Sequence, residues 1–503
     1  MQDRPKRKIS RRTLIVGASS AVGAAAGISI WQSIGDRSSA ALAAPDSALW
    51  ISTTQASPWQ IRSLRPPGFY WDTVNLDVFT EDRFQTIEGF GCCFNELGWT
   101  SLQALSPNDR ENIFRELFTP STGTAGAGAN FNICRMPVGA NDFSRGWYSY
   151  DEIPGDFALE HFTIANDLET LVPFIKSALR CRPSLRLWAS PWSPPSWMKR
   201  NGYYAEALPQ PGFPPNGIKP EQVGAEGSDM FIPEDRYYTA YANYFGRFID
   251  AYKQQGIDIG MVMPQNEFNS AQAFPSCTWT PYGLARFIQS LGPVMSERGV
   301  AVFFGTLERA HPNLLDVVLS DQKAGRYITG AGLQWAGKGA LSSIHKAHPD
   351  LVIYQSEQEC GDGKNNWHYC VYCWHLMKFY LEGGANAYMY WNLSLPRDGE
   401  SHWGWRQNSL ITVDLSARTY QFNHEYYLLK HISHFVQPGA KRLRTQGLLV
   451  EALAFLNPDK SVVVVFRNSV DFGRPIDITV AHRRVAGWME PDSFNTLLLR
   501  PER

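Results

Sequence analysis

Through the middle of the chain, short apolar runs rich in β-branched and aromatic residues close on Gly, Pro, Ser or an acid, and stretches of helical periodicity fill most of the gaps. Eight such runs fall at residues 86–94, 131–137, 184–191, 259–267, 301–307, 330–335, 351–357 and 385–392. Their apolar positions are continuous and not alternating, the pattern of strands covered on both faces. Amphipathic helices are predicted over 109–118, 168–180, 234–255, 282–298 and 367–381. Eight strands alternating with helices predict an α/β fold, a (β/α)8 TIM barrel over residues 86–436. The structural rival is an open doubly wound sheet, but no G-x-G-x-x-G follows an early strand and no phosphate-binding loop occurs.

The two ends of the chain are patterned differently. Residues 448–456, 461–468, 476–481 and 493–499 alternate around turn signals such as Asn457-Pro458-Asp459, which predicts antiparallel strands. Residues 75–80 also read as a strand. The N-terminal segment 44–85 and the C-terminal segment 437–503 are therefore expected to meet in one side β-sandwich packed on the barrel. The largest insertion, 201–233, is rich in Gly and Pro and follows the third run, where a barrel builds its active-site rim.

Composition narrows the classes. With 503 residues, 44% hydrophobic and 19% charged, a fibrous or natively unfolded protein is excluded. The first 43 residues stand apart: Arg4, Lys6, Arg7, Lys8, Arg11 and Arg12 precede an uncharged stretch over 13–35 and a small-residue site at Ala41-Leu42-Ala43. This resembles a twin-arginine signal and predicts export to the periplasm or the outside, the other reading being an uncleaved membrane anchor. Without residues 1–43 the formal charge moves from −1 to −6, at 40 basic against 46 acidic residues, which argues against a nucleic-acid partner. No later segment reads as a membrane span, so none is expected in the mature chain.

Eight cysteines are too few for a disulfide scaffold in a chain this long, and one disulfide or none is expected. Cys370-Val371-Tyr372-Cys373 lies in a predicted helix with no second C-x-x-C, so these read as buried helical thiols. The histidines show neither H-x-x-x-H nor H-E-x-x-H; no metal site and no cofactor is expected.

Barrel enzymes carry their reactive groups at the C-terminal ends of strands. The fourth run closes on Glu267 and the seventh on Glu357, which puts two carboxylates across one mouth, the geometry of glycoside hydrolysis. Glu359, two residues on, is the alternative to Glu357, since an extended chain points i and i+2 the same way. Aromatic faces stack on sugar rings, and Trp192, Trp197, Trp335, Trp391, Trp403 and Trp405 lie at or beyond strand ends; the loop 403–408 after the eighth run is the candidate substrate platform.

The ordered motifs Glu88-Gly89-Phe90-Gly91, Arg135-Met136-Pro137, Asp142-Phe143-Ser144, Ala189-Ser190-Pro191-Trp192, Gln265-Asn266-Glu267, Ser356-Glu357, Tyr390-Trp391-Asn392-Leu393 and Ser493-Phe494-Asn495-Thr496 resemble glycoside hydrolase family 30, which holds glucosylceramidases, β-1,6-glucanases and glucuronoxylanases of the retaining clan. The resemblance implies Glu267 as acid/base and Glu357 as nucleophile, with Arg135, Asp142, Trp192, Asn266 and Trp391 lining the glycone subsite. Two departures stand out. Phe268 follows Glu267 where the family has Pro, and Gln334-Trp335-Ala336 stands where the glucosylceramidase branch carries His-Trp-Tyr.

The expected function is that of an exported retaining β-glycosidase cleaving β-linked glucosyl units, a 1,6-linked β-glucan first. Its partner is then an oligosaccharide, polysaccharide or glycolipid. Glucosylceramide or xylan cleavage on the same scaffold is the alternative within the class, and a carbohydrate-binding barrel without catalysis is the alternative outside it.

Overall fold

A computed structural model of the chain describes residues 41–42, 47–64, 73–126 and 128–501. Eight parallel strands close a barrel: β1 (Gly89–Cys93), β2 (Ile133–Pro137), β3 (Arg186–Ser190), β4 (Met261–Val262), β5 (Ala301–Leu307), β6 (Ile328–Gln334), β7 (Val352–Glu357) and β8 (Ala387–Asn392). The ring closes where β8 pairs with β1, Ala387 opposite Gly89. Strands β1, β2 and β8 are buried along their whole length, which is why their sequences run apolar without alternation. Close backbone approach fixes glycine in β1: a Cβ on Gly91 would lie 1.8 Å from the carbonyl oxygen of Ile133.

The surrounding helices start where local chemistry lets them. Ser106 accepts from the Asp109 amide ahead of Pro107–Phe118, Thr280 from the Gly283 amide ahead of Pro281–Ser296, and Asn366 from the Tyr369 amide ahead of Trp367–Glu382. The helix expected over 168–180 is two pieces, Ala165–Glu169 and Leu171–Cys181, broken at Thr170. The fourth run differs most from its expectation. Only Met261–Val262 join the ladder, and the chain then turns out of the sheet, bringing Glu267 into a left-handed loop conformation at φ 47°.

Both ends of the chain build one further sheet. Val74–Thr86 lies between Lys441–Gly447 and Arg474–Val480, and Ala48–Thr53 pairs with Ser493–Leu499. Two of its strands, Lys441–Gly447 and Arg483–Met489, lie outside the runs expected from the sequence; each opens on two basic residues. The alternation along Val462–Asn468 divides two cores: Val462, Val464 and Phe466 join Trp50, Leu76 and Ile478 inside the sandwich, while Val463 and Val465 face the barrel side with Phe494 and Leu498. The interior of the sandwich is filled tightly around Trp50, whose ring leaves a Cβ on Gly487 only 2.0 Å of room.

The segment 1–43 read as an export signal lies outside the described residues, apart from Ala41–Leu42, which pair with Arg483 and Arg484. No helix among the described residues is long and apolar enough to cross a membrane. All eight cysteines are free, and Cys370 and Cys373 are buried on Trp367–Glu382. The insertion 201–233 holds one short turn of helix, Pro220–Gln222, and is otherwise irregular.

Candidate active site

Arg135, in β2, is the hub of the barrel mouth. It is fully buried, and its guanidinium donates to Glu357 Oε2 at 2.7 Å, to Asn266 Oδ1 at 2.6 Å and to Ser190 Oγ at 2.9 Å, tying the ends of β2, β3 and β7 to the loop after β4. Register explains its footing: Arg135 stands opposite Trp188 in β3, and the guanidinium lies 4.9 Å from that ring and 4.4 Å from Trp192.

Gln334 ends β6 as the register partner of Glu357. Its side-chain nitrogen stands 3.1 Å from Glu267 Oε1 and 3.2 Å from Glu357 Oε2, so these two oxygens are at most 6.3 Å apart. Retaining glycosidases hold their carboxyl groups about 5–5.5 Å apart and inverting ones roughly 6.5–9.5 Å. The Trp335 indole donates to Glu357 Oε1 at 3.0 Å, and Gln272 donates to Glu267 Oε2 at 3.2 Å. Glu267 and Trp335 both sit at positive φ, 47° and 48°, a strained backbone for non-glycine residues. The Thr306 hydroxyl, accepting from the Glu267 amide at 2.7 Å, helps hold the first of them.

The two carboxyls are tuned apart. Burial pushes Glu267 well above the ordinary carboxylate range, and the charges of Glu357 and Glu308 push the same way. Burial also raises Glu357, but Arg135 opposes it, helped by the bonds from Trp335 and Gln334. The arrangement therefore holds a proton on Glu267 more tightly than on Glu357, the division of labour that acid-assisted nucleophilic displacement requires.

Asp142, Trp192, Glu267, Trp335, Glu357 and Trp405 line one cavity of about 160 Å³, with Gln272, Phe274, Glu308 and Gln407 completing its wall. Trp391 stacks on Trp192 at 5.3 Å, and Arg135 and Asn266 brace the floor. Glu267, Glu357, Arg135, Asp142, Trp192, Asn266, Trp335, Trp391 and Trp405 are thus brought together at one place, whereas Glu359, Trp197 and Trp403 are not. Glu359 does not line this cavity; it pairs with Lys338 at 2.7 Å and accepts from Tyr372. The strand ends at Glu357, so the i, i+2 rule stops applying there. Of the proposed platform, Trp405 and Gln407 line the cavity, whereas Trp403 is buried and donates to the Tyr204 hydroxyl. Trp197 is spent on Asp151 and Phe157. Glu308 was open to the strand-end rule, standing one residue past β5, and was missed; Gln272 and Phe274 lie on a loop with no sequence signal.

Residues 87–436 match the glycosyl hydrolase family 30 TIM-barrel domain, and residues 439–497 match the β-sandwich domain of the same family. The chain belongs to glycosyl hydrolase family 30. It is accordingly a retaining O-glycosyl hydrolase acting on β-glycosides. Among its relatives, it is 28% identical to the lysosomal acid glucosylceramidase of Mus musculus over 80% of this chain and 79% of that one. It is 26% identical to the endo-1,6-β-D-glucanase neg1 of Aspergillus fumigatus over 82% and 84% of the two chains. The crystal structure of SrfJ from Salmonella typhimurium shares the fold, with a TM-score of 0.75 at 22% identity over 90% of this chain and all of that one.

Proposed function

We propose that this family 30 enzyme cleaves β-linked glucosyl units, with a 1,6-linked β-glucan as first substrate, and that Glu357 and Glu267 carry the reaction. Glu357 attacks the anomeric carbon from one face while Glu267 protonates the departing oxygen; Glu267 then takes a proton from the water that releases the glucosyl-enzyme. The observation that carries this reading is the shared donor, Gln334, which brings the two carboxyls within reach of one glycosidic bond. The same residue favours a glucan over glucosylceramide, because it replaces the histidine that the sequence comparison led one to expect in the ceramide-cleaving branch. The endo-1,6-β-glucanase among the relatives supports the linkage, and the basic N-terminal segment supports export.

A 2-deoxy-2-fluoro β-glucosyl inactivator, followed by peptide mass mapping, tests the assignment. A label on Glu357 is expected. A label on Glu359, or inactivation without a covalent adduct, overturns it. Product analysis on 1,6-β-glucan, glucosylceramide and xylan then separates the substrates.

A further inference from the structure

The reaction uses two carboxylates, yet four line the cavity: Asp142, Glu267, Glu308 and Glu357. Asp142 belongs to the nucleophile's side, since the charge of Glu357 acts on it next after burial. Glu308 belongs to the other side. It follows β5, across from Glu267, whose proton affinity it raises, and its backbone amide is fixed at 3.1 Å from Asn269 Oδ1 on the loop that carries Glu267.

Burial raises the Glu308 carboxyl above its ordinary range, and the ion pair with Arg309 works against that rise in favour of the charged form. Its carboxylate pairs with Arg309, and Arg309 pairs in turn with Glu226 of the insertion at 2.9 Å. With both carboxyls ionised, one cation between them leaves the triad at −1. Glu226 and Arg309 are partly open to solvent, at 45% and 38% side-chain exposure, while Glu308 is 7% exposed and is the member that lines the cavity. Gln272, Phe274 and Trp405 line the same cavity, and Phe213 of the insertion packs edge-on against Trp405 at 4.8 Å.

The geometry points to Glu308 as the residue that selects the leaving group: it accepts hydroxyl or ammonium hydrogens from a neutral or amino sugar and rejects a uronate by charge. This rests on Glu267 being the acid, because the acid marks where the leaving group sits. A cavity lined by this carboxylate, two aromatic side chains and an amide offers a sugar ring both stacking and hydrogen-bond acceptors. The carboxylate of a uronate brought into this low-dielectric pocket meets like-charge repulsion from Glu308, and among the described residues no Lys or Arg lines the cavity to offset it; Arg309 is shared with Glu226 and Arg135 is held by Glu357 and Asn266.

Transglycosylation reads the leaving-group side alone, since acceptors enter where leaving groups depart. The full-length enzyme is charged with 4-nitrophenyl β-glucoside, and glucose, glucosamine and glucuronate compete as acceptors at neutral pH. The expected result is transfer to glucose and glucosamine with glucuronate disfavoured at least about tenfold, and a rise of about tenfold in the glucuronate-to-glucose ratio in Glu308→Gln. Equal use of glucuronate by the wild type, or an unchanged ratio in Glu308→Gln, overturns the proposal while nitrophenol release upholds the parent reading. Absence of nitrophenol release overturns both.

Discussion

Arg135 and Glu357 form a salt bridge of 2.7 Å with the arginine fully buried and the glutamate almost so. Buried pairs of this kind add little net stability while both partners stand, and cost about 3–5 kcal/mol when one is removed, because the survivor is left charged and unpaired. Arg135→Met is expected to lose that stability in urea unfolding. The arginine holds the Glu357 carboxyl down against burial. Without it Glu357 keeps its proton to higher pH, so the acid limb of kcat/KM is expected to move upward; an unmoved limb would mean that Glu357 need not ionise.

Gln334 donates toward both carboxyls and lowers the proton affinity of each. In Gln334→Leu both pKa values rise. Glu267 stays protonated further into the alkaline range, so the alkaline limb shifts to higher pH. Loss of the shared donor also loosens the spacing of the two groups, and kcat is expected to fall by about a hundredfold. A pH–rate series on both enzymes checks the direction and the size together.

His431 spans the seam between barrel and sandwich. Its ring nitrogens lie 2.8 Å from the hydroxyls of Thr53 and Thr496, and burial pushes its pKa down to about 3. The unfolded chain takes up the proton below about 6.5, the folded chain only near 3, so folding loses stability as the pH falls between those values. The expected loss is about 1.4 kcal/mol per pH unit from this group. Denaturant titrations at pH 7 and pH 5 should show it in the wild type and show that much less pH dependence in His431→Gln.

The sandwich core is anchored by Trp50, which packs edge-on to Phe466 at 5.4 Å and donates to Asn495 Oδ1 at 3.0 Å. Trp50→Ala is expected to cost about 3–5 kcal/mol. Gly487→Ala should destabilise by overfilling the same space. Melting temperatures of the two variants test whether this core is as tightly filled as its geometry indicates.

What the sequence made legible follows from where chains bury their surface. Strands covered on both faces write themselves as apolar runs, so the barrel could be read along almost its whole circuit. Lys441–Gly447 could not, because Leu443 is its only fully buried side chain. Nor could the helix His424–Ser433, whose buried face carries Glu425, Lys430 and His431, the last two held by Glu116 and Thr53 from far away in the chain. In the site, Glu267 and Glu357 were marked by strand ends, whereas the bridging role of Gln334 depends on a register between two strands that only the closed barrel sets.

The sheet assembled from both chain ends has a consequence for synthesis. Trp50 and Asn495 are 445 residues apart yet bonded to each other. On the ribosome, Ala48–Thr53 emerges among the first described residues and its partner Ser493–Leu499 among the last. Until then it is an apolar edge with open hydrogen-bonding groups, a template for pairing with other nascent chains. A message broken late, after the whole barrel has been translated, would therefore yield a sticky product with its chemistry complete and that early strand still waiting.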